Sequence, residues 1–186
     1  MNLFYLDHDI DLCAQYHIDK HVCKMQLEAA QLLSTALWVD KLLGFVPRAL
    51  NGDELAEIKA VTRCEPPIEE RTFIRYLATH HNHPSNIWVR SSLENYYWTI
   101  CYVNALDSEA QYRGYKPHAS CRETNRLPEP KAMVNKGLTH PAQAMPEQYK
   151  NIDTVQAYRN YYIGEKASIA SWKLRGAPEW WPKENK

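Results

Sequence analysis

Between residues 17 and 36 two patterns repeat with the period of an α-helix, and they face opposite ways. His17, His21, Lys24, Glu28, Gln31 and Thr35 recur at steps of three and four, which places them on one polar stripe. Val22, Met25, Ala29, Leu32, Leu33 and Ala36 keep the same period on the apolar side. A chain carrying such a segment near its start must bury one face of a long helix, and a mainly α, single-domain fold over residues 1–186 is expected. The polar stripe is unusual in content. Solvated helix faces carry long, mixed Glu and Lys; this one holds two imidazoles, an ammonium and a carboxylate, which marks it as a working surface.

The rest of the pattern supports one helical domain. At 186 residues the chain can build a core without metal or disulfide staples. Its five cysteines, Cys13, Cys23, Cys64, Cys101 and Cys121, include no Cys-x-x-Cys pair, so reduced thiols are expected. No apolar run reaches the roughly 20 residues of a bilayer span, and Met1 to Leu6 is followed by Asp7, Asp9 and Asp11, unlike a secretion signal. These features predict a cytoplasmic protein with no membrane partner.

Residues 1 to 6 read as a short strand or extended entry. The first helix is expected to begin near residue 9 or 19 and to run to about 43, where Gly44 and Pro47 stop it. A short helix is expected over 53–61, another over 68–78 behind Pro66 and Pro67, a long one over 85–112, and a last one over 153–172. Residues 117–146, with Pro128, Pro130, Pro141 and Pro146, read as a long ordered loop with at most short helices.

Glu28, Lys24, His21 and His17 are the catalytic candidates. A carboxylate whose protonation is tuned by a nearby cation or by burial does acid/base work, and an amine beside it supplies a nucleophile or a stabilising charge. His17 and His21 have the i,i+4 separation at which two imidazoles share a metal, but Glu28 lies seven residues beyond His21, about 10 Å along a helix, and cannot join them. Completing a site would need His80, His81 or His83, so neither metal nor cofactor is assigned.

Charge is uneven: residues 1–109 hold nine Lys and Arg against 15 Asp and Glu, and residues 110–186 hold 13 against seven. The later, basic part is also rich in rings, a mixture suited to phosphates and unpaired bases. His83 and Arg90, beside a helix start, together with Arg113, Lys116, Arg159, Lys173 and Arg175, are the candidate nucleic-acid contacts, and DNA is the expected partner.

The order of several short motifs resembles the pyrimidine-dimer DNA glycosylases of phages and bacteria, the endonuclease V type. The similar pieces are Met1-Asn2-Leu3-Phe4-Tyr5-Leu6, Glu28 with Gln31-Leu32-Leu33, His83-Pro84, and Glu109-Ala110-Gln111-Tyr112-Arg113-Gly114-Tyr115, together covering roughly residues 1–116. The resemblance implies an α-amine that attacks the sugar carbon to form a Schiff base, with Glu28 matching the assisting glutamate. Here Asn2 follows Met1, and a bulky second residue disfavours methionine removal, which leaves Lys24 or the Met1 amine as the amine candidates.

The chain is also similar to small phage proteins carrying Asp19-Lys20-His21-Val22, His83-Pro84 and Glu179-Trp180-Trp181. By analogy this admits a phage transferase that attaches an amino acid to an activated thymine derivative in DNA. The expected function is a DNA-acting enzyme on an extruded base, glycosylase- or lyase-like. The alternatives are that transferase and a non-catalytic nucleic-acid-binding protein.

Overall fold

In a computed structural model, which describes residues 1–64, 69 and 73–182, every regular element is helical. Seven α-helices follow in order: α1 (Ile10–Gln15), α2 (Asp19–Leu43), α3 (Gly52–Thr62), α4 (Pro84–Ser91), α5 (Leu93–Tyr112), α6 (Ala119–Thr124) and α7 (Thr154–Lys166). The mainly α fold read from the sequence is the fold observed.

Every α-helix except α2, which follows Ile18 without a side-chain cap, begins where a side chain satisfies free amides. The Asp9 carboxylate accepts from the Asp11 and Leu12 amides and starts α1. Asn51 and Glu54 form a reciprocal capping box at α3, and Asp153 accepts from the Val155 and Gln156 amides at α7. Gly44, at φ 76° and ψ −151°, takes a positive-φ backbone conformation open to glycine and ends α2.

α2 is the axis of the domain. Its apolar stripe is buried throughout, and it packs against α3, α4, α5 and α6. Over its second half the chain is covered nearly all round, from Leu32 to Asp40. Trp38 is the largest of these side chains, and its indole N–H donates to the Tyr76 carbonyl at 3.1 Å. Burying the ring alone stabilises the fold by roughly 2–3 kcal/mol, and the hydrogen bond removes the cost of hiding a donor.

The first long helix starts at residue 19, one of the two expected starts, and ends at 43 as expected; residues 16–18 separate it from α1, so His17 lies outside α2 although it extends the stripe. Three other expectations need correction. The long helix expected over 85–112 is two helices, because Ser92 is extended at φ −152° and ψ 146°, where its hydroxyl caps α5 through the Glu94 amide at 3.3 Å. Of the helix expected over 68–78, residues 73–78 are non-helical and most of the remainder lies outside the described residues. The last helix also stops early, since α7 ends at Lys166 and only a 3-10 turn, Ala167–Ile169, follows it.

The opening residues are neither strand nor surface. Leu3, Phe4, Tyr5 and Leu6 are buried, in an extended path bent at Phe4, whose φ is 27°. With no sheet partner, their backbone groups are met by side chains: the Leu6 amide donates to the Cys13 sulfur at 3.3 Å and the Leu6 carbonyl accepts from Arg159 Nε at 2.9 Å.

The Pro-rich stretch is an ordered loop, as expected, carrying α6 near its start. It is tied down by helix side chains. Asp40 accepts from the Lys131 and Ala132 amides at 2.6 and 2.9 Å, Ser92 donates to the Gly137 carbonyl, and Asn95 pairs with Thr139 through both its oxygen and its nitrogen.

Candidate active site at Glu28

The buried entry segment carries the backbone nitrogens of Met1 and Asn2 onto the middle of α2. Glu28 Oε2 accepts from the Asn2 amide at 2.9 Å and lies 3.6 Å from the Met1 ammonium. Its other oxygen is 3.1 Å from Lys24 Nζ, one helical turn earlier. The Glu28 side chain is 13% exposed and that of Lys24 is 64% exposed, so the carboxylate is held while the lysine is free to swing.

Asn2 is the anchor that the sequence reading did not single out. Its Nδ2 donates to the Ala144 carbonyl at 2.8 Å, and its Oδ1 accepts from the Leu3 amide at 2.8 Å and from the Tyr158 hydroxyl at 2.9 Å. Every polar group of this buried side chain is thus engaged, and the residue before it has one place to go. The signal was available: Asn2 is the one polar residue between Met1 and Leu6.

His83 joins the same site. It is the N-cap of α4, with Nδ1 accepting from the Ser85 amide at 3.2 Å, so its neutral form carries the proton on Nε2. Burial holds its pKa below the usual imidazole value, and the Met1 ammonium and His80 push it the same way against the opposing pull of Glu28. The amine, the carboxylate and this imidazole therefore share one electrostatic neighbourhood.

The two stripe histidines behave differently from the catalytic role expected for them. His17 is fully buried; Nδ1 donates to the Cys13 carbonyl at 2.7 Å and Nε2 accepts from the Tyr102 hydroxyl at 2.7 Å. Burial drives its pKa down to about 3. A ring with both nitrogens occupied and no solvent path is a packing element, which corrects the assignment of His17 as catalytic. His21 stacks on Phe4, ring centroids 4.7 Å apart, with Nδ1 2.6 Å from the Tyr162 hydroxyl. Its pKa falls to about 4, by burial first and then by Lys166 and Lys24. Packed between Phe4 and Tyr162, His21 supports the bent entry segment.

Two of the expected DNA contacts point inward. Arg90 is buried and donates to the carbonyls of Val46 and His81 at 2.8 and 2.7 Å, and also to the Asn86 side chain and the Arg48 carbonyl. Arg113 is 0% exposed; it pairs with Glu109 at 2.6 Å and Asp19 at 2.9 Å and donates to the carbonyls of His17 and Gln15. Neither guanidinium reaches a phosphate, because each is consumed in satisfying buried acceptors. Arg159 is similarly committed, to the Leu6 carbonyl and to Asp7 at 2.7 Å, with its plane over Tyr16 and Trp180.

The remaining cations are accessible. Lys116 and Lys173 are exposed, Lys173 Nζ lies 5.4 Å from the Tyr115 ring centre, and Arg175 stacks 3.9 Å over Tyr112 while pairing with Glu109. The Lys173 amide donates to Asp19, so this group sits at the start of α2, about 14 Å from Glu28 at 1.5 Å per residue. Lys166 adds a further cation, lying over Tyr161 and acting on His21 in the first turn of α2.

No family model, no curated protein and no solved structure matches this chain. Among the described residues no group of three or more His, Cys, Asp and Glu side chains is arranged to hold a metal ion, and no helix is long and apolar enough to cross a membrane.

Proposed function

We propose that this protein acts on DNA, on a base extruded from the duplex, with glycosylase- or lyase-like chemistry in which an amine held at Glu28 is the nucleophile. One observation carries the reading: a largely covered carboxylate lies 3.6 Å from the Met1 ammonium and 2.9 Å from the next amide. A structural ion pair needs no buried anchor such as Asn2 to aim it.

The chemistry follows from that pair. Glu28 takes a proton from the ammonium and frees the nitrogen lone pair, which attacks C1′ of the deoxyribose. The C1′–N bond to the base breaks with its electrons going to the base, which picks up a proton from the newly attached nitrogen. Glu28 then returns its proton to the ring oxygen as the C1′–O bond opens, leaving an imine between protein and sugar. Lys24 supplies positive charge beside the carboxylate, and the Nε2 proton of His83 offers a hydrogen bond to the departing base. Lys116, Lys173 and Arg175, with Lys166 near His21, supply cations for phosphates around the start of α2.

Borohydride reduction tests the reading, because it traps such an imine. Duplexes carrying an abasic site or a pyrimidine dimer should give a covalent adduct that peptide mapping places on Met1. Glu28→Gln should slow trapping by about 100-fold, and Lys24→Ala should still be trapped. Absence of an adduct with every substrate overturns the proposal, and DNA binding unchanged by Glu28→Gln would then leave a binding protein in its place.

A further inference from the structure

Of the polar residues that recur between positions 17 and 35, all but one are committed to partners within the fold. His17 and His21 have hydrogen-bonded rings, and Lys24 and Glu28 pair with each other. Thr35 Oγ1 lies 2.8 Å from the Gln31 carbonyl and 3.0 Å from the Thr79 carbonyl, and it accepts from the Thr79 amide at 3.0 Å. Gln31 is the exception. Its carboxamide makes no hydrogen bond among the described residues, and although the residue is half-buried, that carboxamide is open to solvent, unlike the enclosed and unpartnered Gln26 oxygen.

The surroundings of Gln31 are held in place. It lies three residues beyond Glu28, so the two side chains leave the same face of α2 with about 5–6 Å between their Cβ atoms. The segment that follows residue 78 is fastened to α2 at two points, Thr79 to Thr35 and Asn86 to the Leu32 carbonyl, which accepts from its Nδ2 at 3.0 Å. Between these anchors the chain turns, with the His83 amide donating to the His80 carbonyl at 3.0 Å, and brings His83 into the field of Glu28 and the Met1 ammonium. In passing from the level of Thr35 to that of Glu28, the turn crosses the level of Gln31. The free carboxamide therefore sits one step along the helix from the amine, beside the turn that carries His83.

We propose that Gln31 reads the edge of the extruded base. A side-chain amide presents a donor and an acceptor side by side, the pattern that complements an adjacent acceptor and donor on a base, such as O4 and N3–H of thymine. With C1′ at the Met1 nitrogen and the Nε2 proton of His83 beside the departing base, the far edge of the ring falls about one ring's width away, in the direction of Gln31. Packing does not require an amide at this position, since neither of its polar atoms holds another part of the described chain. The inference rests on the DNA reading above and deepens it, because the amine and Glu28 act on the sugar and have no means of telling one base from another.

Binding by the full-length Glu28→Gln protein tests this without any reaction. The probes are three duplexes that differ only in a single bulged residue: thymine, N3-methylthymine, whose added methyl group blocks the edge, or an abasic sugar. Fluorescence anisotropy should show the thymine duplex bound about tenfold more tightly than the N3-methylthymine duplex, the worth of one bidentate amide contact. Adding Gln31→Leu, a good helix former at a half-buried position, should bring that ratio to about one. The ratio is the readout, since a merely structural role for Gln31 would weaken binding of all three duplexes together and leave the ratio as it was. A ratio that survives Gln31→Leu, equal affinity for the two thymines when Gln31 is present, or no binding of any duplex overturns the assignment. Failure here is separable from failure of the chemistry: an imine adduct without a Gln31-dependent ratio removes base reading alone, and a Gln31-dependent ratio without an adduct removes the chemistry and keeps base reading.

Discussion

Replacing Arg113 by Met separates a buried brace from a DNA contact. The guanidinium is wholly enclosed and meets four partners: Glu109 at 2.6 Å, Asp19 at 2.9 Å, and the carbonyls of His17 and Gln15, both at 2.8 Å. Removing one member of a buried ion pair costs about 3–5 kcal/mol, because the remaining charge stays hidden without compensation. Two features soften the loss here. Arg175 still pairs with Glu109 at 2.9 Å, and Asp19 keeps the Lys173 amide and the Ser171 hydroxyl. The expected destabilisation is therefore at the lower end, about 3 kcal/mol. With a urea m-value of about 2 kcal/mol/M, the unfolding midpoint should move down by about 1.5 M. Arg113→Lys should recover only part of this, since one ammonium cannot replace a fork that reaches two carboxylates and two carbonyls. A midpoint within 0.3 M (about 0.6 kcal/mol) of wild type, combined with weaker binding to DNA, would refute the brace and restore the phosphate contact read from the sequence.

Two further outcomes follow from the same geometry. His17 and His21 have folded-state pKa values of about 3 and about 4, below the ordinary value of 6.5, so the unfolded chain takes up protons that the native state refuses. Stability should be fully present above pH 6.5 and fall steadily as pH drops from there toward 3. A thermal midpoint flat between pH 7 and pH 4 would contradict the buried, neutral assignment. Asn2→Leu, similar in shape, should cost about 2 kcal/mol through the acceptors and donors it strands and should abolish borohydride trapping, because the amine is no longer aimed. Trapping at the wild-type rate would show that Asn2 does not position it.

The patterning of residues 17 to 36 was enough to reveal the central helix, because burial on one side imposes a period that composition cannot mimic. Glu28 and Lys24 came with it, and the structure does bring them together. The partner of Glu28 was harder to see. Nothing in the spacing of residues 1 to 6 says that an extended, strand-like run will be buried without a sheet and will lay its first nitrogen on α2; that depends on distant groups, Tyr158, Ala144 and Arg159, with separations of 142 residues or more for the Asn2 contacts. Basic residues were misjudged for a related reason. Arg90 and Arg175 look alike in sequence, but the first is enclosed among carbonyls that only folding places around it. Ser92 shows the limit of periodicity: the apolar stripe continues across it, yet its extended backbone ends one helix and its hydroxyl starts another.

The loop from residue 128 to 146 owes its order to side chains on elements far away in the chain, through Asp40, Ser92 and Asn95. Such a segment has no local reason to form. Its closure waits until the helices have assembled, so contact order rather than helix propensity sets the slow step of folding. In a refolding experiment followed by pulsed hydrogen exchange, amides of α2 and α5 should gain protection first, and those of Lys131, Ala132 and Thr139 last.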